Sequence, residues 1–236
     1  MVSLLAAASR EAPPDLSGKD LSKLNLSGLD FKSGRYKGTV FEGADLSNAN
    51  LQGAEMQKAK MAGANLAGAN LDVAVFREAD LSGANLSEVS AVSTVFAYAD
   101  LRDATLTKAH LVSNLERANL TGANLAGAQL AADMNNQPMG LVRVILKKAN
   151  LTGANLKGAN LSRGMLEFAD FTDANMVGAD LMRADAGGAT FTGADLTDAN
   201  FFQIDIQDAR FMGIKGRDTI KDLDTALHLR SAIFDK

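Results

Sequence analysis

The side chains able to do chemistry in this chain are mostly carboxylates, and they are tied to a beat of five residues. Asp80, Asp100, Asp185 and Asp205 each stand directly before a buried-type residue, at positions where Asn50, Asn70, Asn155 and Asn175 stand elsewhere. Paired carboxylates suit general acid–base work when their environments differ. Here the two residue types exchange freely, so the positions read as solvated outward residues that also brace corners. The two histidines are His110, at an outward position, and His228, near the C-terminus. Neither has a metal-ligand partner at a useful spacing. Serines gather where turns want them. No GxSxG elbow, P-loop or dinucleotide glycine pattern occurs. The chain has no cysteine, which excludes disulfides, thiolate metal sites and a cysteine nucleophile.

What positions these residues is the beat itself. From 44 to 71 the sequence reads ADLSN ANLQG AEMQK AKMAG ANLAG ANL. A large apolar centre returns at Leu46, Leu51, Met56, Met61, Leu66 and Leu71, with Ala two places before each. A period of five fits neither a helix nor an open strand. Self-similarity this short and strict indicates a solenoid. In each unit the small Ala and the large centre point inward, with a polar residue outward between them, as in a strand. The next two positions hold Ser, Thr, Gly, Asn and Asp, which turn the chain.

The units ADLSN, ANLQG, ANLAG, ADLSG, ANLTG and ANLKG resemble the pentapeptide-repeat family, whose pattern is A(D/N)LXX. The resemblance implies an all-β fold, a right-handed quadrilateral parallel β-helix with four pentads per coil. Residues twenty apart then stack. Tyr36, Met56, Phe76 and Phe96 form one core column, and Phe171, Phe191 and Phe211 another. Asp80 falls over Asp100 and Asp185 over Asp205, where like charges raise one another's pKa.

In chain order, 1–14 precedes the repeats. Val2 to Arg10 can form a short capping helix that Pro13–Pro14 would end. Val2 to Ala8 also resembles the stub of a signal peptide, without a basic n-region. The repeats run over 15–211. The first units lack the small Ala, as terminal repeats often do, and the Lys19 unit departs furthest from the pattern. Ala91 and Ala186 are undersized centres, and Val89 can partly refill the space beside Ala91. The beat slips once, from Leu111 to Leu115. A loop excursion near 131–145 then restores the register at Leu146, with Met134 as one more possible centre. Centres at four per coil give a rod about 45 Å long at the ~4.8 Å strand spacing. Over 212–236 the spacing of Ile220, Leu223, Leu227 and Phe234, with Asp218 or Thr219 as cap, predicts a C-terminal capping helix. The rival, which the resemblance implies, is a homodimer through that helix.

The chain is 236 residues long with a net charge of −4, 6% aromatic content and no tryptophan, which suits a narrow solenoid interior. No apolar run is long enough for a transmembrane helix. The sequence therefore predicts a protein that is not an enzyme, with no cofactor, metal, small-molecule substrate or membrane span. The predicted role is a protein-binding scaffold with an unknown protein partner. The alternative is a DNA-mimicking regulator or protector of a type II topoisomerase (DNA gyrase). Mimicry needs a sustained acidic face; 161–211 carries a net −6, whereas 15–60 carries +1. The basic cluster Lys19, Lys23, Lys32, Arg35 and Lys37 has no nucleic-acid motif beside it, so direct binding to DNA or RNA is not expected. The expected compartment is the cytoplasm, or the periplasm or thylakoid lumen if an N-terminal signal was removed.

The candidate protein-contact loop is Asn135, Asn136, Gln137, Pro138, Met139, Leu141 and Arg143, because apolar residues exposed in a loop mark contacts. Deleting 135–143 is expected to leave the far-UV circular dichroism β-rich and unchanged while removing partner capture; capture that survives the deletion rejects the loop as the contact.

Overall fold

Each pentad folds as a short extended segment followed by one tight turn. The computed structural model describes residues 13–131 and 142–235. In the unit around Leu46, Ala44 and Leu46 are buried, and Asp45 between them faces outward, half-buried. Ser47 and Asn48 turn the chain, and the Ala49 N–H donates to the Leu46 carbonyl at 3.0 Å. Asn48 has φ of 57°. A positive φ at the third of four turn residues alone defines a type II turn. The same place in other units is held by Gly, or by residues such as Lys58 and Asp173, also at positive φ.

Consecutive coils bond backbone to backbone. Outward residues pair in parallel with partners twenty positions on: Asp45 with Asn65, Asn65 with Asn85, Asn85 with Thr105. Twenty residues make four units, so each coil has four bridged positions and four turns, as the resemblance implies. Four of the five N–H groups in a unit find carbonyls. Around Leu46, the Leu46 N–H donates to Asn65 O (2.6 Å), that of Asn48 to Ala67 O (2.9 Å), that of Asn50 to Leu29 O (3.0 Å), and Ala49 closes the turn. The fifth, on the first turn residue, is met by the outward side chain: Ser47 N–H donates to Asp45 Oδ1 at 3.0 Å. Asp and Asn make this bond to the N–H two residues on best, and Ser and Thr make it more weakly. That is the physical content of the A(D/N)L pattern.

The core is the stack of centres. Phe76 lies on Phe96 with ring centroids 5.1 Å apart, and Phe171, Phe191 and Phe211 stack at 5.1 and 4.8 Å. Three departures from Ala at the small position have local reasons. Gly34 leaves room for the Tyr36 hydroxyl, which would lie 2.2 Å from an added Cβ. The buried hydroxyls of Thr39 and Thr94 donate to Leu16 O and Leu71 O at 2.8 and 2.7 Å. The slip after Leu111 is a turn with one residue fewer. Across it the bridge spacing falls to nineteen (Val95 with Asn114), then rises to thirty-one over the excursion (Asn114 with Ile145), then returns to twenty.

The C-terminal segment corrects the sequence expectation. No capping helix forms over 212–235; the chain makes one further coil, with 3-10 turns at Arg217–Thr219 and Leu223–Thr225. The helix-mediated homodimer therefore has no helix to use. The physical reason is the open edge below. Lys215, Lys221 and Leu227 donate N–H bonds to Ala194, Ala199 and Ile204 carbonyls at 2.9, 2.9 and 2.8 Å. Strand β2 (Ile233–Phe234) pairs in parallel with β1 (Arg210–Phe211), and Phe234 stacks on Phe211 at 4.8 Å. Here the units lengthen to six: IKGRDT, IKDLDT, ALHLRS. Gly216, Asp222 and His228, all at positive φ, stand where centres would be. At Gly216 an added Cβ would lie 2.4 Å from the Thr197 Cα, so glycine is required.

The longer turns would strand the N–H groups of the coil below, and side-chain oxygens replace the lost carbonyls. Asp198, Gln203 and Asp208 N–H groups donate to the hydroxyls of Thr219 (3.0 Å), Thr225 (3.0 Å) and Ser231 (3.1 Å). Each hydroxyl donates in turn to a carbonyl of its own turn. At the fourth corner Gly213 N–H donates to the Asp235 carboxylate at 2.6 Å. Residues 1–12 of the N-terminal cap expected over 1–14, Met134, and the loop residues Asn135, Asn136, Gln137, Pro138, Met139 and Leu141 lie outside the described residues.

Thr219→Val keeps the shape and removes both bonds, so chemical unfolding is expected to show a loss of about 1 kcal/mol, the net worth of a hydrogen bond. Thr219→Ser is expected to retain most of it.

Candidate functional site: one apolar face

The bridges arrange the outward residues in columns, and one column differs in kind. A representative column reads Asn25, Asp45, Asn65, Asn85, Thr105, Asn124, Asn155, Asn175, Asp195. Its amides bond along the rod: Asn85 Nδ2 donates to Asn65 Oδ1 at 3.1 Å, and Asn65 Nδ2 to Asp45 Oδ1 at 3.0 Å. The differing column reads Asp15, Arg35, Glu55, Val75, Val95, Asn114, Ile145, Met165, Asp185, Asp205. Val75, Val95, Ile145 and Met165 are half-buried, outward, and brought together on neighbouring coils around Asn114.

The turns on both sides of this face are apolar as well. Val73 (53% exposed) and Val142 (41%) lie on the turns that lead into it, and Tyr98 (41%) and Phe168 (63%) on the turns that leave it. Among the described residues before Phe211, these four are the large apolar side chains left exposed. Val73, Tyr98 and Phe168 sit at φ of 54°, 63° and 58°. An L-residue there costs roughly 1–2 kcal/mol, and for a β-branched valine the conformation is an outlier. The face also gives up its turn braces. Val75, Val95, Ile145 and Met165 carry no acceptor for the N–H groups of Arg77, Ala97, Lys147 and Glu167.

Cations hold the aromatic rims. The Arg77 guanidinium lies 4.7 Å from the Tyr98 ring centroid and that of Arg117 5.6 Å from it. Phe168 lies against Gly188, where an added Cβ would come within 2.6 Å of the ring. The shortened turn at Val112–Ser113 leaves a depression of about 290 Å³ at the edge of the face, lined in part by Val95, Val142, Ile145 and Arg143. Arg143, half-buried, is thus the one described residue of the expected contact loop, and it borders this face.

The two ends of the face are charged. Toward the N-terminus Arg35 pairs with Asp15 (3.2 Å) and Lys58 with Glu78 (3.4 Å). Toward the C-terminus Glu167 meets Lys147 at 2.5 Å, and Asp205 meets His228 Nδ1 at 2.8 Å. Asp185 is pushed up from its ordinary value, first by burial and then by Glu167 and Asp205. The other stacked pair behaves differently from expectation. Asp100 over Asp80 is held below the usual carboxylate range because Arg102 grips it with bonds of 2.6 to 2.9 Å. Among the described residues no three His, Cys, Asp or Glu side chains converge as metal ligands. Among them, too, no helix is long and apolar enough to cross a membrane.

The apolar column was missed in the sequence because each outward substitution looks isolated. AVF, TVF, VIL and GML replace A(D/N)L at 74–76, 94–96, 144–146 and 164–166. The pairs 75/95 and 145/165 are visible as twenty-residue repeats, but joining them requires the register across the slip and the excursion.

Comparison with known proteins agrees with this architecture. The family model for pentapeptide repeats matches in eight copies, over 25–62, 54–90, 74–112, 113–131, 149–185, 166–203 and 176–213. No curated protein matches the chain. Among solved structures, a trypsin-treated variant of QnrB1, a plasmid-mediated fluoroquinolone resistance protein, is 19% identical with a TM-score of 0.55. That match covers 94% of this chain and 89% of the other. HetL, a pentapeptide repeat protein involved in heterocyst differentiation regulation from the cyanobacterium Nostoc sp. strain PCC 7120, is 26% identical. It covers 98% of this chain and 92% of its own, with a TM-score of 0.45. A pentapeptide repeat protein of the Arabidopsis thaliana thylakoid lumen is 28% identical over 56% of this chain and 86% of its own, with a TM-score of 0.23. The family model and the likeness to the QnrB1 variant imply a right-handed β-helix.

Since the folded state holds the Asp185 proton more tightly than the unfolded chain does, ionisation of Asp185 opposes folding. Its favourable contribution is present below the ordinary carboxylate pKa and is lost as pH rises through the raised value. Asp185→Asn, which keeps an acceptor for the Gly187 N–H, is expected to raise the unfolding midpoint at pH 7 and to leave it near wild type at pH 3.

Proposed function

Since the chain belongs to the pentapeptide-repeat family, we propose that it is a non-enzymatic protein-binding scaffold: a rigid, four-sided β-helix that works through its Val95 face. One observation carries this. On the two coils to either side of Asn114, that face exchanges the turn-bracing Asp and Asn for Val, Ile and Met and borders them with exposed Val, Tyr and Phe. Each exchange forgoes a hydrogen bond worth about 1 kcal/mol and exposes apolar surface to water. A fold selected for stability alone would not concentrate such losses on one face. Exposed contiguous apolar surface with a charged rim is how protein contact sites are built. Long solenoid faces suit that role.

The expected contact residue Arg143 fits at the border of the same face. Ala131 and Val142, the described residues on either side of 132–141, both belong to the corner that leads into this face. A DNA-mimicking regulator of a type II topoisomerase would need an unbroken acidic column. Among the described residues the columns are instead rich in Asn, and Lys60 and Arg210 interrupt the column of Asp80 and Asp100. That favours the scaffold.

The test compares immobilised wild type with a Val95→Glu/Ile145→Glu double variant and an Asn85→Glu control on the amide face. A specific partner is expected to be retained by wild type and control and reduced at least tenfold by the double variant, with DNA supercoiling by gyrase unaffected throughout. Equal retention by all three, or altered supercoiling, rejects the scaffold.

A further inference from the structure

We infer that the Val95 face binds a second copy of this chain, rod against rod in antiparallel orientation. This rests on the proposal that the face is a contact surface, and it names the partner. The carrying observation is a symmetry of the column about Asn114. One coil to either side stand Val95 and Ile145; two coils away stand Val75 and Met165. An antiparallel two-fold axis through Asn114 sets Val95 of one rod on Ile145 of the other, and Val75 on Met165, twice over. Four apolar outward residues thereby cover their own counterparts.

Beyond the apolar centre the charges reverse between the two ends. Four coils from Asn114 the column holds Arg35 on one side and Asp205 on the other. The adjoining turns hold Lys37 and Asp208. Nearer the centre, Arg77 falls opposite Glu167, and Asp72 opposite Arg163. Antiparallel docking therefore places each of these four pairs, base to acid, across the interface. The column has one like-charged coincidence, Glu55 opposite Asp185, each with a base on a neighbouring turn, Lys58 and Arg183. In a parallel arrangement the same coils would meet in register, so the acidic end would face an acidic end. Complementarity of this kind fixes orientation more than it adds affinity. The contact region from Arg35 to Asp205 spans eight coil steps, about 38 Å at the strand spacing. That length is ample for an isologous dimer, in which one patch serves both partners.

Sedimentation velocity of the full chain across a micromolar concentration series reads the association. Wild type is expected to pass from monomer to dimer, and Val95→Glu, which buries two charges at the apolar centre, to weaken the dimer about a hundredfold or more. Lys37→Glu and Asp208→Lys change turn residues outside the core. Each alone is expected to weaken the dimer severalfold, and the double variant to restore it, because the two positions meet across the axis. A wild type that stays monomeric overturns the inference while leaving capture of a different partner by this face open to its own assay. A dimer indifferent to Val95→Glu, or a double variant no better than the singles, also overturns it.

Discussion

Everything in this molecule depends on the backbone ladder between coils. A chain that returns to the same axis every twenty residues satisfies its N–H groups most simply when its corners are built alike. The corner must be a type II turn, its third residue at positive φ, and its first N–H needs an acceptor two residues back. Asp or Asn supplies that acceptor, which ties the outward side chain to backbone accounting rather than to solvation alone. The large centre and small Ala follow from the narrow interior that such corners enclose. The five-residue pattern is thus one hydrogen-bond requirement written repeatedly.

The same ladder explains how the regular coils end. An open coil edge offers unpaired groups to any strand, a standing hazard for sheets. Here the last coil pairs with the edge and then withdraws its own regularity. Its turns lengthen, its centres become Gly216, Asp222 and His228, and the hydroxyls of Thr219, Thr225 and Ser231 take over the acceptor role. Arg217 closes over Phe234, 4.5 Å from the ring centroid, at the end of the aromatic stack. A further coil laid on this one would find shifted corners and few inward centres to pack against.

Much of the fold was legible because the period is rigid: centres, small positions, the slip at Leu111 and the aromatic columns all follow from counting by fives. The terminal coil was not legible in the same way. Ile220, Leu223 and Leu227 match helical spacing, and only the pairing partner at the coil edge decides between a helix and six-residue units. The repeated IKGRDT and IKDLDT, with hydroxyls at the sixth place, were the available signal. The apolar face was hidden for a different reason. Single apolar residues at outward positions are unremarkable; their alignment exists only in three dimensions, across a nineteen-residue step and a thirty-one-residue step. Stacked Asp80 and Asp100 show a similar limit, since the neighbour that decides their charge balance, Arg102, belongs to the turn and not to the column.

A ladder this complete also constrains how the Val95 face can act. Its backbone is fixed on both sides by neighbouring coils, so the outward side chains cannot rearrange far to suit a partner. Recognition must then come from a partner shaped to a nearly flat, preformed surface, and little ordering entropy is lost on contact. Tyr98 between two guanidinium groups and Phe168 against Gly188 are already placed before anything binds. Such preorganisation lets a modest apolar strip suffice where a mobile loop would need more area. It also makes the strip unforgiving: a charge at Val95 cannot be turned away from the face by a shift of backbone, because that backbone is held by bonds to the coils on either side.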